Sequence, residues 1–418
     1  MKRNATIAAI GAGALLLSAC GGGDDDGDGD KVEVFTWWAE GTELEGLEAM
    51  VDVFDEQHPD IEFVNAAVAG GAGSQAKDLL QTRLQSGEPP DTFQAHAGAE
   101  LQDYINADQV EDVSDLYEEF GLDEAFPDDL IELLTVDDAI YSIPSNIHRS
   151  NVVWANPEVL EDAGIDPDEV PADIDEWIED LEKIDSNGDT ALSVGEPWTQ
   201  VHLLETILMA DLDADAYDGL WDGSTDWSSP EVTQAFEHFE TLMGFTNDDR
   251  DGLDWPDATQ LVVDGSAGYN VMGDWAIESF NENDMERGED FIDFPTPGSE
   301  DVFGFLADSF TLPDGAPHPD GAKAWLETIS SEDGQTEFSK AKGSIPARTD
   351  ADPDDFPEYQ QDAMESFAED TTVSSLAHGA ATPAATLSNI EDAVSKYTTG
   401  AADLDELQQT VGDAVAGD

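Results

Sequence analysis

Val32 and Val34 share one side of an alternating run at residues 31–38, which predicts a strand. Leu44, Leu47, Val51 and Phe54 follow at helical spacing until His58-Pro59 stops the helix. Residues 61–68 form a second strand-like run. A glycine-rich turn at 70–73 then leads into a helix carrying Ala76, Leu79, Leu80 and Leu84. The Pro89-Pro90 pair interrupts that helix and delivers the chain to a short strand at 93–96, which Gly98 ends. This strand-helix-strand-helix-strand order predicts a parallel sheet with right-handed crossovers, hence an α/β fold. Ligands of such sheets bind beyond the carboxyl ends of the strands. Trp37-Trp38 and the pair Gln94 and His96 both fall there, and alternation puts Gln94 and His96 on one face. Alone, that pair reads as a buried strand end with satisfied polar groups.

Further strand-like runs are predicted at 139–144, 267–272, 291–294, 304–306 and 310–312. Helical patterns cover 157–163, 174–184, 202–210, 232–243, 322–330 and most of 386–415. Asp185, Asn187 and Asp189 have the spacing that opens a calcium loop, and Glu196 falls where the bidentate glutamate belongs. Thr190 stands where the sharp turn needs glycine, and a solvated turn after a helix is the alternative reading. The turn at 70–73 lacks the lysine and hydroxyl pattern of a phosphate loop.

Charge changes the weight of these residues. The 418 residues carry 97 Asp and Glu against 14 Lys and Arg, a formal net charge of −83. Such a surface repels nucleic acid. It repels itself as well unless salt shortens the Debye length to about 3 Å, as at molar concentration. A halophilic source is therefore expected. A single acid is then a poor functional marker, whereas a retained Lys, Arg or His is a good one. Cys20 is the only cysteine, so no intrachain disulfide forms. It follows a short basic start and an apolar run at 5–17, in a Leu-Ser-Ala-Cys sequence resembling a bacterial lipoprotein box. Residues 1–20 are expected to be a signal peptide with lipid attached at Cys20, and residues 21–30 a flexible acidic tether.

Several strand-like runs end in Trp, Gln, Asn, His or Asp: Trp37-Trp38, Gln94 and His96, Asn146 to Asn151, Trp198 to Gln200, and Asp274-Trp275. Sugars require this mixture, because the C–H face of a pyranose packs on an aromatic ring while its hydroxyls need fixed donors and acceptors. The ordered stretches FTWWAEGTELEGLEAM, GEPPDTFQAHAG, IPSNIHRSNVVW, LSVGEPWTQVHL, YNVMGDWA, DSF followed by TLP, KGSIPAR and SSLAHGAA cover nearly all of the chain beyond the tether. Together they resemble family 1 extracellular solute-binding proteins of ABC sugar importers, in particular the glucose/galactose-binding branch.

The resemblance implies a two-lobed α/β fold of the periplasmic-binding-protein type (type II), with a ligand cleft between the lobes and hinge crossings. The expected division is 31–146 plus 306–344 for the N-terminal lobe and 149–303 plus 347–418 for the C-terminal lobe. It implies a lipid-anchored extracellular receptor that captures a monosaccharide, glucose or galactose, and delivers it to a membrane permease. The ligand-binding residues carried over are Trp37, Trp38, Glu43, Gln94, His96, Asn151, Trp198, Asp274, Trp275, Asp308, Lys342 and His378. For Asn151, as for its neighbour His148, a hinge role is an equal alternative. No cofactor, no resident metal and a monomeric state are expected, with membrane contact only through the lipid. A secreted glycoside hydrolase would need a pair of carboxylates about 5–9 Å apart. No catalytic motif stands out, and no G-x-S-x-G occurs. A structural surface lipoprotein would bind no small ligand.

Overall fold

Lys31–Phe35 organises the first of two large sheets. It pairs in parallel with Glu62–Asn65 on one side and Thr92–His96 on the other. Asp308–Thr311 then adds antiparallel to Thr92–His96, and Ser142–Pro144 antiparallel to Asp308–Thr311. The computed structural model describes residues 30–69 and 73–417. The signal segment with Cys20, the tether up to residue 29, and positions 70–72 of the glycine turn lie outside the described residues. Among the described residues no helix is long and apolar enough to cross a membrane.

The helix Gly41–Gln57 covers the first sheet by burying Leu47, Met50 and Phe54, spaced three and four apart. Trp38, Phe93, Phe310 and Trp325 fill the core beneath it. The second sheet runs Ile292–Pro295, Val152–Ala155, Ala267–Val271, Thr190–Ser193. One helix over it, Ile174–Asn187, starts on Asp173, whose side chain accepts the Glu176 N–H, and buries Ile174, Trp177, Leu181 and Ile184. Val152–Ala155 is buried on both faces. Val152 and Trp154 join the core that includes the first sheet, while Val153 and Ala155 join the core of Leu204, Phe236 and Phe239.

A third, three-stranded sheet links these bodies: Thr371–Ser374, Val302–Leu306 and His148–Arg149. Leu306 pairs with His148 and Phe305 with Arg149. Ile147 and Ile345 exchange both backbone hydrogen bonds, at 2.8 and 2.9 Å. Asn151 ties this crossing together. Its Oδ1 accepts from Gly304 N and Arg149 Nε, and its Nδ2 donates to Ser299 Oγ and the Val302 carbonyl.

Two expectations change. The run at 139–144 divides: Ala139–Ile140 turns back on Thr135–Val136, through Asp137 and Asp138 at positive φ, and only Ser142–Pro144 enters the first sheet. The calcium loop does not form. Asp185 and Asn187 belong to the helix Ile174–Asn187, and Thr190–Ser193 is held in the second sheet against Ala267–Asn270. Among the described residues, Asp185, Asp189 and Glu196 are not brought together into a group that could hold one ion.

Candidate functional site

The carboxyl ends of the first sheet and the near edge of the second meet at one cavity. Trp37, Trp38, Glu43, His96, Asp308 and Lys342 come from the first sheet and its helices, Trp198, Trp255 and Trp275 from elements of the second, with His148, Leu306 and His378 between. About 40 Å³ of open space remains at the centre. A further space of about 190 Å³ shares Trp37, Glu43 and Trp255 with it and reaches Glu40 and Glu196. A larger groove of about 1080 Å³ lies against the crossings, by Phe305, Ile345 and Arg348, but none of the sequence-derived candidates lines it.

Trp37 rests on Gly73. A Cβ there would come 2.9 Å from the indole, and the φ of +89° is one that glycine adopts freely. Lys77 Nζ lies 5.3 Å from the Trp37 ring centroid and 2.8 Å from Glu100. Glu100 in turn meets His96 Nδ1 at 2.9 Å. Burial pushes the Glu100 carboxyl up, but Lys77 and His96 outweigh it and hold the pKa at about 2. An ionised Glu100 accepts the hydrogen bond of His96 Nδ1–H and leaves the other edge of the imidazole for the cavity. The segment around His378 docks here too: Ala99 N donates to the Ala380 carbonyl at 3.1 Å and Glu100 N to that of Gly379 at 2.8 Å. Gly98, at φ +113°, permits this approach, since a Cβ would strike the Ala380 backbone.

Asp308 is the hub of the first wall. Its Oδ1 accepts from Gln94 Nε2 at 2.8 Å and its Oδ2 from Asn146 Nδ2 at 3.2 Å, with His148 Nε2 at 3.6 Å. Lys342 is nearly buried, with Nζ 3.7 Å from Glu43. Burial raises the Glu43 pKa against the lowering pull of Lys342. On the opposite wall, Trp198 opens the helix Pro197–Asp211 and donates its indole N–H to Glu196 at 3.0 Å. Trp275 stands edge-on to His148 and His378, at 5.1 and 5.0 Å between centroids. His378 is held neutral, its pKa far below the ordinary value, by burial first and then by His202, His96 and Lys77.

Nine of the twelve expected residues therefore line the cavity. Gln94, Asn151 and Asp274 do not. Gln94 accepts from Thr36 Oγ1 and Trp37 N and donates to Asp308, so it positions both neighbours. Asp274 is fully buried, bonded to His148 Nδ1 and to Arg149 N. Asn151 serves the crossing. His148, weighed against a hinge role, lines the cavity, because crossing and site share one strand. Trp255 was missed; it is the first residue of the helix Trp255–Val263, which Asp254 caps. An aromatic at a helix start beside a cap was the available signal.

The sequence profile of the bacterial extracellular solute-binding protein family matches residues 38–336. The chain belongs to this family. As a solute-binding protein it is 31% identical over 415 residues to an uncharacterised ABC transporter extracellular-binding protein of Pyrococcus horikoshii, covering 96% of this chain and 93% of the relative. It is 29% identical over 420 residues to a probable sugar-binding periplasmic protein of Brucella suis, covering 96% of each. A solved chitin oligosaccharide binding protein superposes with a TM-score of 0.81 at 19% identity, over 94% of this chain and 99% of the other. The fold is thus the two-lobed periplasmic-binding-protein type. The solute-binding protein is a non-catalytic, extracellular sugar receptor of an ABC importer, with a sugar and a membrane permease as its partners.

Proposed function

We propose that this receptor captures a monosaccharide, glucose or galactose, between lobes formed by 31–146 plus 306–344 and 149–303 plus 347–418. The crossings at His148–Arg149, Val302–Leu306 and around Ile345 act as the hinge. The observation that carries this reading is the convergence of hydroxyl-reading groups with Trp37 and Trp38 from one sheet and Trp198, Trp255 and Trp275 from the other on a single small cavity. The central space is small for a pyranose, so loading requires opening, and closure then makes both sets of contacts at once. The closed form gains over the open one by as much as the sugar prefers it, which marks the loaded receptor for the permease. Cys20 anchors the receptor through lipid, and the charge of −83 suits a saline exterior.

Isothermal titration calorimetry at molar KCl with glucose, galactose, mannose and xylose tests this. Heat with a hexose and little with its epimers is expected, since an epimer leaves buried polar groups unpaired. Equal heats for all four, or none, would exclude a monosaccharide-specific site.

A further inference from the structure

The helix Pro197–Asp211 is buried nearly all round, and it places His202 and Glu205 three residues apart in the interior, both at 0% exposure. His202 Nε2 lies 2.8 Å from the Ser150 carbonyl oxygen, so it must carry the proton and donate. Nδ1 is then a bare lone pair, buried, with no hydrogen-bond partner in the protein. Glu205 accepts from Ser375 Oγ at 2.9 Å and from Ala377 N at 2.7 Å. His378 Nδ1 meets the same Ser375 Oγ at 2.9 Å. One nitrogen from each imidazole and one oxygen of Glu205 lie within 4.8 Å of one another.

Acceptors gathered this closely in a dry interior repel unless something positive, a proton or an ion, sits among them. We propose that His202, Glu205 and His378 bind one divalent transition-metal ion, with Zn²⁺ the best match. Two imidazoles and a carboxylate are ligands that zinc takes with an open fourth position. The supporting contacts are those a metal site needs: the Ser150 carbonyl fixes the His202 tautomer, and Ser375 orients both Glu205 and His378. The ion would tie the sugar-facing loop of His378 to the helix that carries Trp198. Its role is positional.

The test uses the folded protein without sugar, so its outcome is independent of the sugar assignment. After treatment with a chelator, the protein in molar KCl with excess Mg²⁺ is titrated with Zn²⁺ against a chromophoric competitor. The salt and Mg²⁺ occupy the acidic surface. Uptake of one equivalent is expected, and Co²⁺ in its place should give the visible absorption bands of a nitrogen-ligated, low-coordinate ion. Glu205→Gln and His202→Gln should each weaken uptake by more than the roughly 10–100-fold that loss of a supporting contact costs. Circular dichroism confirms that each variant is folded, and the Co²⁺ spectrum of the unaltered protein stands if one is not. Absence of stoichiometric uptake, its abolition by Mg²⁺, an all-oxygen Co²⁺ spectrum, or unchanged uptake in both folded variants would overturn the proposal.

Discussion

The two walls of the cleft are built on different physics. The first-sheet wall sets Trp37 and Trp38 beside a chain of charge-assisted hydrogen bonds: Lys77 to Glu100 to His96, and Gln94 and Asn146 to Asp308. The opposite wall is tryptophan, with Trp198, Trp255 and Trp275 offering faces and edges. Hydrogen-bonding groups are costly when left unmade, so the first wall should set which sugar is accepted. Ring faces tolerate small changes in a partner, so the second should set how firmly any sugar is held. One wall discriminates and the other grips.

The largest effect should come from Asp308→Ala. It strands the amide donors of Gln94 and Asn146 together with a ligand hydroxyl, and sugar affinity should fall at least roughly 100-fold, about 3 kcal/mol. Calorimetry that shows less than a threefold change would remove Asp308 from the centre of this account. Next comes the acid limb of the stability curve. The Glu100 pKa is about 2 in the fold against an ordinary 4.5. Its contribution is therefore complete above pH 4.5 and is lost as pH falls toward 2, amounting to up to about 3 kcal/mol. Denaturant unfolding between pH 6 and 3 should show a shallower loss in Glu100→Gln than in the parent; parallel curves would disprove the assignment.

Trp198→Ala should cost about 1.4 kcal/mol of binding, roughly tenfold, with little change in preference among sugars. A change of preference instead would assign discrimination to the tryptophan wall and collapse the contrast. The smallest effect belongs outside both walls. Arg83 holds Glu33 through two hydrogen bonds of 2.9 and 2.8 Å, partly exposed. Arg83→Ala should lower stability by about 1 kcal/mol or less and leave sugar affinity alone, as measured by denaturant titration and calorimetry.

The first sheet was legible because its strands are separated by strongly periodic helices, and strand ends could be placed from Pro89-Pro90 and Gly98 alone. What the pattern hid was pairing across distance. Asp308–Thr311 enters between Thr92–His96 and Ser142–Pro144, a neighbourhood more than 200 residues away on one side. That insertion decides which polar residues face ligand. Gln94 and His96 share a face, yet Asp308 and Trp37 absorb the hydrogen bonds of Gln94 and leave only His96 in the lining. Residue type and face were readable; whether a group was already spent was not. The calcium spacing failed for a related reason. Three acids and an asparagine at suitable intervals carry no weight when a buried apolar run, Ala191 and Leu192, can pair in a sheet.

The docking of Ala99 and Glu100 on Ala380 and Gly379 has a kinetic side. With the lobes divided as proposed, those two main-chain hydrogen bonds run from one lobe to the other. They belong to the peptide backbone, and glycines at both ends keep the approach open. On that division a bound sugar would leave only after they break, which would make residence time partly a property of the fold and independent of which sugar is held. A permease that accepts the cargo has to compete with peptide groups, and altering the sugar-contacting side chains would leave that barrier in place.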